Sequence, residues 1–183
     1  GYFSKDTTYK LGILLISFAF ILALLVCNLK YYILVSLGIG LSVGYYFLKE
    51  TPPFDLIIDA FLLPIPVTAG WYIVKSDQFP LSVLILLISL CVTIYFMGAI
   101  VDFGVDNIST TKIIGKPLSY LLLYLSAFIF YIILPANMWL SKIAIISYIL
   151  TFHYTLITKK WKLYTYFTII FGVVFFIDLL AHF

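Results

Sequence analysis

The sequence predicts an all-α, polytopic transmembrane helical bundle of seven spans, and three observations carry that expectation. Mean hydropathy is +1.16, and 64% of the residues are apolar against 10% charged, a balance outside the range of soluble chains and inside that of membrane proteins. The apolar residues fall into seven stretches, each near the length that crosses a hydrocarbon core of about 30 Å at about 1.5 Å per residue. Within each stretch the apolar residues run on without alternation, which excludes the strands of a membrane barrel.

In chain order the predicted spans are residues 11–29, 31–47, 56–74, 80–101, 118–134, 139–157 and 163–182. The first follows ten mostly polar residues and carries no small-residue cleavage site, so it reads as a span and not as a signal peptide. A single Lys30 separates it from the second. Pro64 and Pro66 fall inside the third, where two missing N–H groups are expected to kink the helix and open room for a substrate. The fourth runs out into the longest polar loop, 101–117. The fifth and sixth are joined across 135–138, and the sixth carries His153 at mid-span, expected to be hydrogen-bonded within the bundle. Asp178 and His182, near the outer end of the seventh, read as interfacial. Tyr31, Trp71, Trp139 and Trp161 stand near span ends as interfacial anchors. Cys27 and Cys91, far apart inside spans, read as small buried apolar residues. No linker interrupts the chain, which gives a single domain over residues 1–183.

The eleven basic residues are all lysine, and their distribution sets an orientation. With the N-terminus on one side, that side collects Lys5, Lys10, Lys49, Lys112, Lys116, Lys159, Lys160 and Lys162, whereas Lys30, Lys75 and Lys142 fall on the other. The positive-inside rule places the richer side in the cytoplasm of a cell-membrane protein. A net charge of +3 on so apolar a chain follows from this topology and gives no footing for nucleic acid. Both polar loops, 48–55 and 101–117, then share the cytoplasmic face, as expected where a lipid-like substrate carries a water-soluble head group.

Chemistry is predicted first in the loop Asp102-Phe103-Gly104-Val105-Asp106. We read Asp102 and Asp106 as the chain's close carboxylate pair. At i and i+4 on one helical face they lie about 6 Å apart, where two unneutralised charges repel by about 3 kcal/mol at an effective dielectric near 20. A cation between them is expected. Asp59 stands one helical turn inside its span, where a carboxylate is costly and points to function. No metal-binding Cys/His spacing, phosphate-cradling glycine loop or serine nucleophile motif accompanies these residues.

The loop from Asp102 to Asp106, with Lys112 and Gly115 after it, resembles the second aspartate-rich motif of the UbiA superfamily of intramembrane prenyltransferases. The earlier segment Tyr45-Tyr46-Phe47-Leu48-Lys49-Glu50-Thr51-Pro52-Pro53-Phe54-Asp55 resembles that family's tyrosine-and-lysine loop two spans upstream. The stretch from Pro64 to Trp71 is similar to the branch that acts on carotenoid or quinone-like acceptors. Family members have nine helices with the second motif after helix six, so seven spans with an aspartate pair after the fourth correspond to helices three to nine. The resemblance covers essentially the whole chain.

It implies Mg²⁺-dependent transfer of an isoprenoid chain from a prenyl diphosphate to a hydrophobic acceptor: a quinone precursor, a carotenoid or a lipid-like molecule. Asp102, Asp106 and Lys112 become catalytic, with Mg²⁺ on Asp102 and Asp106, while Lys49, Tyr45 and Tyr46 bind substrate; Asp59 joins the substrate-binding set by its depth in the span and not by the resemblance. The chemistry suits those residue types. Ionising an allylic diphosphate develops charge that Mg²⁺ and lysines neutralise, and a tyrosine ring face can shield the carbocation. Two departures stand out. Residues 1–10 hold only Asp6, so the first aspartate-rich motif is missing, and Gly104 and Thr110 occupy positions where the family places an acidic residue and a glycine. The chain therefore reads as an N-terminally truncated portion that is inactive by itself. A membrane transporter with Asp59 and His153 on a polar path, or a non-catalytic membrane subunit, are the alternatives.

Overall fold

Helix follows helix along this chain because each apolar run satisfies its own backbone hydrogen bonds, the condition that lipid imposes on any segment it surrounds. The structure, a computed structural model, describes residues 5–26, 29–48, 51–75, 78–104 and 108–182, and every regular element among them is helical. In order these are α1 (Lys5–Val26), α2 (Leu29–Leu48), α3 (Phe54–Leu62), α4 (Pro64–Val74), α5 (Leu81–Val101), a 3₁₀ turn (Asp102–Gly104), α6 (Thr110–Ile114), α7 (Lys116–Ile133), α8 (Trp139–Thr158) and α9 (Trp161–His182).

All seven predicted apolar stretches are helical. Four segments among the described residues are long and apolar enough to cross a membrane: Phe54–Ile73, Leu81–Gly104, Lys116–Ile133 and Trp139–Thr158. Shorter apolar runs occupy Gly12–Leu22, Leu29–Tyr45 and Leu163–Asp178. The first of the four spans is built from two helices, because Pro64 and Pro66 cannot donate to the carbonyls four residues earlier. α3 ends at Leu62 and α4 begins at Pro64, with Val67 N–H donating to Leu63 O at 3.3 Å across the break. The expected effect of the two prolines is therefore a division of the helix at Leu63.

α5 is the central helix. Its buried residues run from Leu86 to Ile100, as expected of a helix that is apolar on every face, and it packs chiefly against α7 and α3. Small hydroxyl residues allow the α5–α7 approach, with Thr93 Oγ1 and Ser126 Oγ meeting at 2.9 Å. α8 and α9 pair through aromatic rings. Tyr148 stacks on Phe171 at 5.1 Å and on Tyr164 at 5.5 Å, and the two tyrosine hydroxyls lie 2.8 Å apart. α2 lies close against α4 at Gly38, where a Cβ would sit 3.3 Å from Ile65 Cγ2. Gly115, at φ +80, turns the chain from α6 into α7, a backbone conformation that an L side chain resists.

Two single-residue expectations meet different outcomes. His153 is hydrogen-bonded within the bundle as expected, with Nδ1 against Ile149 O at 2.9 Å and Nε2 against Tyr124 Oη at 2.5 Å. A carbonyl only accepts, so Nδ1 carries the proton and Nε2 accepts from the tyrosine. Asp178 is not interfacial. It is 2% exposed, and its Oδ2 accepts from Ser141 N–H at 2.9 Å and Ser141 Oγ at 2.6 Å. The free N–H groups at the start of α8 explain the burial, since a carboxylate from α9 satisfies one of them.

Candidate functional site

A cleft of about 570 Å³ opens where α2 ends, α3 begins, α5 ends and the chain enters α6. The antiparallel course of these helices brings four polar ends to one end of the bundle. Tyr45 comes from the last turn of α2. Thr51 N–H donates to Leu48 O at 2.9 Å and Phe54 N–H to Thr51 O at 2.8 Å, so the chain turns sharply through the cis Pro52–Pro53 bond. α3 then starts with Asp55 in its first turn, where a carboxylate is favoured by the helix dipole. Asp59 follows one turn later on the same face.

α5 supplies the opposite wall through Cys91, Ile94, Tyr95, Gly98 and Ala99. A Cβ at Gly98 would meet nothing within 4 Å, so this wall stands clear of its neighbours. α5 ends at Val101, and Asp102 opens the 3₁₀ turn, exposed at the lip of the cleft. Lys116 Nζ lies 4.9 Å from the Phe103 ring centre and holds that turn against the start of α7. At its inner end the cleft reaches Leu62 and Leu63, about 10 Å along α3 from Asp55. The helix break thus forms the floor of the cleft. Irregular backbone at membrane depth is tolerated in such a place.

The most heavily bonded group in the cleft is Asp55, which is 4% exposed. Its Oδ2 accepts from Tyr95 Oη at 2.5 Å and from Thr110 N–H at 2.8 Å. Its Oδ1 accepts from Thr110 Oγ1. One carboxylate therefore joins α3, α5 and the first residue of α6. Ser109 caps α6 from the other side, its Oγ accepting from Lys112 N–H at 3.4 Å and meeting Thr111 Oγ1 at 2.9 Å.

Of the residues singled out in the sequence, Tyr45, Asp59 and Asp102 line this one cleft. Lys112 does not. It lies half-buried on α6 outside the cleft lining. Tyr46 belongs to α2, with its side chain outside the described part, and Lys49 and Asp106 lie outside the described residues. α5 ends at Val101, and Asp102 stands in the 3₁₀ turn that follows it. His153 is not in the cleft lining either, which separates it from Asp59.

The cleft also holds a second carboxylate pair at the same spacing, Asp55 and Asp59, and Tyr95, with Thr110 bonded to Asp55; neither the pairing of the two carboxylates nor a site role for Tyr95 and Thr110 was expected. The spacing of 55 and 59 was a visible signal. The pairing of Asp55 with Thr110 was not, because 55 residues separate them. Cys91 is buried as expected and is a free thiol; Cys27 lies outside the described residues.

No group of three His, Cys, Asp or Glu residues is close enough to hold a metal among the described residues. Mg²⁺ does not demand such a group, since it commonly takes one or two carboxylates and fills its octahedron with phosphate oxygens and water. Asp59 and Asp102 suit that role, as cleft-lining carboxylates with no hydrogen-bond donor among the described residues. Asp55 suits it less, since it is 4% exposed and three protein donors already bond to its two oxygens. No protein-family model matches this chain, and no curated protein or solved structure matches it.

Proposed function

We propose that this chain is the seven-span portion of an intramembrane prenyltransferase of the UbiA kind, with the shorter apolar runs of α1, α2 and α9 crossing the membrane beside the four long ones. In this reading it transfers an isoprenoid chain from a prenyl diphosphate to a hydrophobic acceptor with Mg²⁺. The observation that supports it is convergence. Tyr45 and Asp55 come from one stretch that resembles the family and Asp102 from the other, and all three line one cleft although more than forty residues part the two stretches.

Asp102 at the lip and Asp59, one turn along α3 from Asp55, would hold Mg²⁺, with Asp106 as a further carboxylate from the same motif as Asp102. Mg²⁺ held by these carboxylates would supply neutralisation of the negative charge that grows on the departing diphosphate. The chain's own residues do the rest. Tyr45 presents a ring and a hydroxyl at the mouth, suited to a carbocation and to a phosphate oxygen respectively. Leu62, Leu63 and Ile94 exclude water from the inner half, so that the cation meets the acceptor and not hydroxide. Lys112, on α6, adds positive charge to the same end of the bundle, the end that the lysine-rich loops assign to the cytoplasm.

Replacing Asp102 or Asp59 by alanine in the full-length protein tests the reading directly. Loss of Mg²⁺-dependent transfer with intact folding is the expected result, and undiminished transfer by both variants removes the site. The transporter alternative needs Asp59 and His153 on one path, and His153 is engaged instead with Tyr124 and Ile149 O.

A further inference from the structure

We infer that Asp55 is a positioning residue: it sets the spacing between Asp59 and Asp102 across the cleft and does not itself ligate metal. The inference rests on the functional reading above and deepens it. Asp55 lines the cleft together with Asp59 and Asp102, and a survey of acidic residues alone would choose it as a ligand. Its hydrogen bonds argue otherwise. Tyr95 Oη, Thr110 N–H and Thr110 Oγ1 point at its two oxygens, and the residue is 4% exposed.

The three elements so joined are the ones that carry the cleft. Asp59 stands one turn along α3 from Asp55. Asp102 follows α5 two turns beyond Tyr95. Ser109 adjoins Thr110 and lines the cleft. A carboxylate is suited to this task because it accepts several hydrogen bonds in fixed directions, and outer partners of this kind govern how well the groups they orient bind metal. Tyr95 and Thr110 therefore matter to the metal although neither carries a charge.

Four variants of the full-length protein separate positioning from ligation: Asp55→Asn, Tyr95→Phe, Thr110→Val and Thr110→Ser. The readout is the Mn²⁺ dissociation constant, measured by electron paramagnetic resonance with inorganic pyrophosphate present, alongside the thermal unfolding temperature. Asp55→Asn, Tyr95→Phe and Thr110→Val are each expected to weaken Mn²⁺ about tenfold, at the low end of what loss of support around metal ligands costs. Thr110→Ser keeps the hydroxyl and is expected to bind as the wild type does. Should Asp55→Asn fail to fold, Tyr95→Phe and Thr110→Val carry the same comparison. Weakening confined to Asp55→Asn makes Asp55 a direct ligand and overturns the inference. So does unchanged Mn²⁺ binding with only a lowered unfolding temperature, which marks a merely structural contact. A wild-type protein that binds no Mn²⁺ with pyrophosphate overturns the functional reading, and the inference with it.

Discussion

Two buried aspartates at opposite ends of the bundle solve the same problem and serve different neighbourhoods. Asp55 accepts from the N–H and hydroxyl of Thr110 at the start of α6. Asp178 accepts from the N–H and hydroxyl of Ser141 in the first turn of α8. In both cases a carboxylate that would be expensive in an apolar interior is stabilised by a backbone donor that would otherwise go unsatisfied. The difference lies in what surrounds them. Asp55 takes a third donor from Tyr95 and stands in a cleft with two further carboxylates. Asp178 is outside that cleft, near the aromatic packing of α8 and α9. Capping chemistry alone does not mark a functional site; convergence of charged groups on an open volume does.

The sharpest way to break this comparison is to alter each end and compare activity with stability. Asp102→Ala combined with Asp59→Ala is expected to remove about 3 kcal/mol of charge stabilisation, about a hundredfold in prenyl transfer, while the unfolding temperature holds. Asp178→Ala is expected to do the reverse, lowering stability by about 2 kcal/mol as a lost cap and charged hydrogen bond with transfer per folded molecule unchanged. Denaturation in detergent micelles and a transfer assay on the same preparations check both. If Asp178→Ala abolishes transfer in a stably folded protein, the two ends are not functionally distinct. The smallest effect is expected from Tyr124→Phe. Loss of its bond to His153 costs about 0.6 kcal/mol, the average for hydrogen bonds between membrane helices, and leaves transfer untouched.

Much of the fold was legible because lipid leaves a chain few choices. Seven continuous apolar stretches became helices at close to their predicted bounds, and Pro64 and Pro66 announced the division at Leu63. The site was legible in part. Tyr45, Asp59 and Asp102 drew attention as polar residues at span ends, and they share a cleft. Asp55 was given no role beyond closing the tyrosine-and-lysine loop, because its importance depends on Thr110 and Tyr95, which only folding brings to it. Asp178 was misjudged for the same reason: its position near a helix end suggests an interface, and only its contact with Ser141 shows why it is buried. At Asp102 the α-helix has already given way to a 3₁₀ turn, a change that no local pattern of apolar residues marks.

Cys91 provides a probe inside the cleft, since it lines the wall facing Asp59. In a full-length variant that keeps Cys91 as its sole cysteine, the rate of alkylation by a small membrane-permeant maleimide reports whether the cleft is filled. A prenyl diphosphate together with Mg²⁺ is expected to slow labelling about tenfold or more, as occupancy passes nine-tenths at saturating ligand, with little effect from Mg²⁺ alone. Labelling that proceeds at the same rate with and without saturating Mg²⁺ and prenyl diphosphate would mean that this cleft does not receive the donor.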